Sequence, residues 1–169
     1  SFPPVDQGGP VGDRGDSGAV ARRVGDEVAS RLELTTNPLS WHGDRSPVWK
    51  LVGAVDRTVR SLAKIATDVA LLASNDIAEV TVRSGGSSSM PDKRNPVDAI
   101  RALAAAEACR GAVEMIQGAA PHELDRGLGS WHVEWFALPI VFQTAAAVSD
   151  SVERLLEGLT VDSTAMTGA

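Results

Sequence analysis

Cysteine is nearly missing from this chain. Cys109 is the only one in 169 residues, so no intrachain disulfide can form, and neither a disulfide-stapled secreted fold nor a cysteine-rich zinc site fits. A reducing cytoplasm is the expected setting, with Cys109 packed in a helix rather than acting as a nucleophile. Tyrosine is absent and aromatic residues make up 4% of the chain, which disfavours an aromatic-rich β sandwich. Positive charge is in deficit, 16 Lys and Arg against 22 Asp and Glu for a net −6, which argues against a nucleic-acid binder. Local cations can still outweigh that balance at a pocket for a small anion. No uninterrupted apolar run reaches the roughly 18 residues of a membrane span, so none is expected. The start, Ser1-Phe2-Pro3-Pro4, has no basic or apolar leader character and reads as a cut or a linker.

What is present suits one ordinary globular domain: 43% hydrophobic and 22% charged residues, with abundant Ala favouring closely packed helices. Residues 1–17 are rich in Pro and Gly and read as irregular; the Arg14-Gly15-Asp16 tripeptide within them carries no weight. From Gly18 to Leu34, Ala19, Val20, Val24, Val28 and Leu32 recur at helical spacing. Ser46-Pro47 is an N-cap and first-turn pair for a second helix. Its stripe of Leu51, Val55, Val59, Leu62, Ile65, Ala66, Val69 and Leu72 runs to about Ser74, a rod on the order of 40 Å that needs long partners. Residues 76–95 break the pattern, with at most a short strand at Glu79–Val82. A third helix is expected from Pro96 to Gly118 with Ile100, Leu103, Ala104, Ala108, Ala112, Met115 and Ile116 on its apolar side. After an irregular stretch from Pro121 to Ser130, a last helix spans Val133 to Leu159. Its core-facing side holds Trp135, Leu138, Val141, Phe142, Ala145, Val148, Val152, Leu155 and Leu159, and Pro139 marks a kink or a late start. The fold class is all-α, a long-helix bundle, with residues 18–162 as its body and 163–169 as a tail.

The chemistry concentrates at Gly85-Gly86-Ser87-Ser88-Ser89-Met90-Pro91-Asp92-Lys93-Arg94-Asn95-Pro96. A Gly/Ser stretch offers amides and hydroxyls, Lys93 and Arg94 add charge, and a helix N-terminus follows, a combination suited to clamping an anion. Read from composition alone, the same stretch is more readily a surface linker before a helix. A phosphate loop is excluded, because Lys93 lacks the preceding Gly and the following hydroxyl.

This segment resembles the signature of the fumarase/aspartase superfamily, Gly-Ser-Ser-x-Met-Pro-x-Lys-x-Asn, and meets every fixed position: Gly86, Ser87, Ser88, Met90, Pro91, Lys93 and Asn95. The resemblance implies that Ser87 moves a proton at the carbon beside a carboxylate. It also implies that Ser88, Met90, Lys93 and Asn95 line the substrate, with Lys93 and Asn95 on carboxylate oxygens. A carbon acid of this kind needs preorganised donors for the charge that develops on its carboxylate. Two further blocks, Trp41-His42-Gly43-Asp44-Arg45 and Gly127-Leu128-Gly129-Ser130-Trp131-His132-Val133-Glu134-Trp135, resemble those of the 3-carboxy-cis,cis-muconate cycloisomerases. Leu124 and Asp92 stand where that group usually carries His and His or Gly.

The resemblance implies cyclisation of 3-carboxy-cis,cis-muconate to carboxymuconolactone in protocatechuate breakdown, with no metal and no organic cofactor. Arg45 and Arg126 are expected on substrate carboxylates, and His42 and His132 are further site candidates. It also implies a homotetramer with active sites shared between chains, and neither nucleic acid nor membrane as partner. An adenylosuccinate lyase-like elimination enzyme and a non-catalytic helical assembly piece are the alternatives. Since superfamily members are longer, the chain reads as a fragment expected to be inactive alone, and lactone formation by the purified chain would refute that.

Overall fold

The computed structural model describes residues 18–36, 44–83, 95–119 and 127–167. Four helices carry the fold: α1 (Gly18–Arg31), α2 (Ser46–Leu72), α3 (Val97–Gly118) and α4 (Val133–Glu157). A two-stranded antiparallel ladder joins β1 (Val80–Thr81) to β2 (Thr160–Val161), with Val80 opposite Val161 and Thr81 opposite Thr160. A short helix, α5 (Ser163–Thr167), follows β2. The all-α expectation holds. The strand expected near Glu79–Val82 is present, and its partner lies where the last helix was expected to end.

The helix ends follow from local chemistry. Helix α1 stops before the expected Leu34 because Glu33 turns left-handed at φ 54°. The Leu34 N–H then donates to the Ala29 carbonyl at 2.8 Å and the Glu33 N–H to the Ser30 carbonyl at 3.2 Å, closing the orphan acceptors of the last turn. At the start of α2 the capping group is not the Ser46 hydroxyl. The Asp44 carboxylate accepts the Ser46 N–H at 2.9 Å, an anion at the positive end of a 27-residue helix. Helix α4 runs through Pro139 from Val133 onward, so the expected late start there does not occur.

The chain folds as two compact units. Residues 1–53 with 114–138 make the first, where Ala29, Val52, Ile116, Ala137 and Glu134 are buried. Residues 54–113 with 139–169 make the second, with a core of small side chains: Val59, Ala66, Val69, Ala99, Ala102, Ala106, Cys109, Ala112, Val113, Val141, Val148, Val152 and Leu155. In this second unit the Cys109 thiol lies 3.7 Å from the Val141 carbonyl, a close approach of α3 to α4 that Ala-rich faces permit. Arg154 of α4 bonds Asp98 in the first turn of α3 at 3.1 Å. In the same unit, Arg83 lies against Gly158, where a Cβ would stand 2.7 Å from the Arg83 Cγ.

The burial differs from the sequence expectation on specific faces. Val20, Val24 and Val28 of α1, Leu32 just after it, Ile100 and Met115 of α3, and Trp135 and Phe142 of α4 are all exposed. Each long helix carries more than one apolar face, and periodicity alone does not say which one this chain covers. By length and composition Ser130–Glu157 is also apolar enough to cross a membrane, at a mean hydropathy of 1.2 over 18 residues, a property that unbroken apolar runs do not reveal.

Candidate active site

In the first unit, Gly127 to Glu134 builds a compact cluster. Gly129 adopts φ 88°, a conformation that disfavours any residue with a Cβ, and this reversal starts a single 3-10 turn over Ser130–His132. The His132 N–H donates to the Gly129 carbonyl at 3.0 Å and closes the turn. Helix α4 begins at the next residue, so Trp131, His132, Glu134 and Trp135 come from one short stretch of backbone.

The rings interlock. His132 lies 4.3 Å from Trp131 and 4.6 Å from Trp135 by ring centroids, edge-on to the latter at 77°. Trp131 and Trp135 meet at 5.5 Å and 88°, the edge-to-face arrangement that aromatic quadrupoles favour. The Arg45 guanidinium sits 5.9 Å from the centre of Trp131, within cation-π range. His132 Nδ1 is buried and has no hydrogen-bond partner among the described residues.

Arg45 also grips Glu134. Its Nε donates to Glu134 Oε1 at 2.9 Å and its Nη2 donates to Oε2, a two-point pair joining residues 89 apart in sequence. The two side chains are only 13% and 5% exposed, so the pair is largely removed from water. Glu134 stands in the first turn of α4, where the helix dipole adds to the stabilisation of a carboxylate. Beside the pair, the amide and hydroxyl of Ser46 hold the Asp44 carboxyl below the ordinary aspartate range, helped by the charges of Lys50 and Arg45.

The structure thus gathers two sequence candidates, Arg45 and His132, around Trp131. Asn95 is half-buried in the second unit, just before Pro96 and α3. Ser87, Ser88, Met90, Lys93, His42 and Arg126 lie outside the described residues. Glu134 enters the sequence expectations only as part of the Gly127–Trp135 block. Its signal was an acid set between Val133 and Trp135 on an apolar stretch, a place that demands a buried cation. The second unit holds a cavity of about 300 Å³ lined by Ala73, Ser74, Asn75, Ala78, Val80, Thr81, Val82 and Pro96, none of them ionisable. Among the described residues no group of three His, Cys, Asp or Glu side chains is arranged for a metal.

An all-α frame of long helices and the intact sequence pattern at 86–95 suit a lyase-type protein. The family profile described as Lyase matches residues 14–113, and the chain belongs to this lyase family of the fumarase/aspartase superfamily. Among curated proteins, the 3-carboxy-cis,cis-muconate cycloisomerase of Acinetobacter baylyi is 34% identical over 151 residues, covering 87% of this chain and 33% of the relative. The nitrosuccinate lyase of Streptomyces davaonensis is 34% identical over 175 residues, covering 96% of this chain and 37% of the relative. Among solved structures, the 3-carboxy-cis,cis-muconate lactonizing enzyme of Pseudomonas putida superposes with a TM-score of 0.84 at 32% identity, covering 96% of this chain and 37% of that one. The chain spans about a third of the length of the curated relatives it matches.

Proposed function

We propose that this chain carries the signature-bearing part of a cycloisomerase that converts 3-carboxy-cis,cis-muconate to carboxymuconolactone. The observation that carries the proposal is the Acinetobacter relative of that name, 34% identical across 87% of the chain, together with the complete signature at Gly86–Asn95. In this reading one substrate carboxylate adds to the conjugated double bond within the same molecule, and a proton is delivered to the neighbouring carbon. Run backwards, the same step is removal of a proton beside a carboxyl group with departure of a carboxylate from the next carbon. That is an elimination, which explains why such a reaction suits a lyase scaffold. The intramolecular nucleophile starts with a high effective molarity, so the protein must fold the substrate, hold its carboxylates and time the proton.

Ser87 is the proposed proton carrier. Ser88, Met90, Lys93, Asn95, Arg45 and Arg126 are the proposed lining, and His42 and His132 are further site candidates. The reaction as written needs neither metal nor organic cofactor. The exposed Val20, Val24, Leu32, Trp135, Phe136 and Phe142 suit burial against further copies in a homotetramer whose active sites are shared between chains. A buried lone thiol suits a cytoplasmic setting.

The nitrosuccinate lyase relative favours a second reading, elimination from a substituted succinate on the same residues. Both readings are tested by grafting this chain in place of the matching third of the Pseudomonas putida enzyme. Loss of diene absorbance with 3-carboxy-cis,cis-muconate supports the first reading. A folded hybrid that turns over only nitrosuccinate supports the second, and one that turns over neither overturns both.

A further inference from the structure

The Arg45–Glu134 pair poses a physical question, because stability alone does not call for it. Two apolar side chains of similar volume in the same place would hold the fold as well or better, since burying two charges costs more than most pairs return. What the pair supplies instead is fixed geometry. Contact at both Glu134 oxygens pins the guanidinium plane, which a single hydrogen bond does not do. That plane rests on Trp131, Trp131 packs on His132, and Trp135 meets both rings edge-on. At the end of this chain of contacts lies His132 Nδ1, a buried polar atom with no partner among the described residues. A substrate carboxylate does not displace Glu134 from Arg45, because that would strand a buried, uncompensated carboxylate.

We propose that Glu134 is a positioning residue: through its two-point hold on Arg45 it fixes Trp131 and His132 in the orientation that meets a polycarboxylate substrate. This rests on the functional reading above and adds to it the residue that sets the geometry. Arg45 meets a substrate only in the orientation that Glu134 imposes, and His132 Nδ1 finds its hydrogen-bond partner in that substrate.

The test uses this chain grafted in place of the matching third of the Pseudomonas putida enzyme, with 15N-labelled His and Trp, the probe tricarballylate, and two variants. One is Glu134→Gln, which keeps the shape and removes the charge. The other is Arg45→Met combined with Glu134→Leu, which keeps the volume and removes both charges. The double variant is expected to melt within a few degrees of the parent while its His132 and Trp131 ring resonances shift and broaden. Glu134→Gln, which keeps Arg45, is expected to move the same resonances and to lower the affinity for tricarballylate at least tenfold. Unmoved His132 and Trp131 signals in the folded double variant, with Glu134→Gln binding tricarballylate within twofold of the parent, would overturn the proposal. If the parent itself does not bind tricarballylate, the polycarboxylate reading fails, and the ring resonances of the folded double variant decide the positioning claim in the same two directions.

Discussion

The two compact units hide different things. The first buries a carboxylate and nearly buries its guanidinium partner amid three aromatic rings. The second buries Ala, Val, Leu, Ser151 and one thiol, and its ion pairs keep the cation a third or more exposed, as where Arg154 bridges Asp98 and Asp150 and Arg60 holds Asp56. Charge in water contributes little to stability, whereas buried paired charge fixes orientation at a cost in desolvation. The contrast separates a region arranged to place functional groups from one arranged to bring helices close together.

The largest expected effect lies in the signature itself. In the grafted enzyme, Ser87→Ala is expected to lower kcat by about 100-fold to 10,000-fold, the range for losing a positioned proton carrier. Thermal melting should not move, and a variant with wild-type turnover would remove Ser87 from the reaction. Next comes the small-residue core. Ala102 is fully buried, and Ala102→Leu is expected to cost about 1–3 kcal/mol by overpacking, measured by urea denaturation. A neutral result there would mean that the second unit is not closely packed.

A similar magnitude is expected at the turn that launches the cluster. Gly129→Ala meets no steric obstacle among the described residues, none of which comes within 4 Å of the added Cβ, yet φ 88° should still cost about 1–2 kcal/mol. The smallest effect concerns Asp44. Its folded carboxyl titrates below the ordinary aspartate value, so its contribution is present above that value and fades as pH falls through the lower, folded one. Melting curves between pH 6 and pH 2 should show a shallow acid loss that Asp44→Asn reduces.

Much of this architecture was legible in the residues. The four helices followed from apolar spacing, and the Gly-Ser-Ser-x-Met-Pro-x-Lys-x-Asn pattern pointed to the family because its fixed positions all fall within one short stretch of sequence. The β1 and β2 pairing was hidden, since two-residue strands about 80 residues apart leave no period to read. The early end of α1 was hidden too, because Glu33 replaces the glycine that usually marks a left-handed cap. Which apolar faces this chain buries could not be read from spacing: Trp135 and Phe142 share the periodicity of Val141 and Val148 but not their burial. Glu134 was the main omission at the site. Its partner Arg45 lies 89 residues earlier, and nothing in either local sequence joins them.

A double-mutant cycle on Arg45 and Glu134, followed by urea denaturation, examines that buried pair most directly. Arg45→Met and Glu134→Leu singly should each cost about 3–5 kcal/mol, because each strands the other charge away from water, while the double change should recover most of that loss. Single costs that simply add in the double variant would contradict a fixed two-point pair, and with it the account of how the Trp131 and His132 cluster is held.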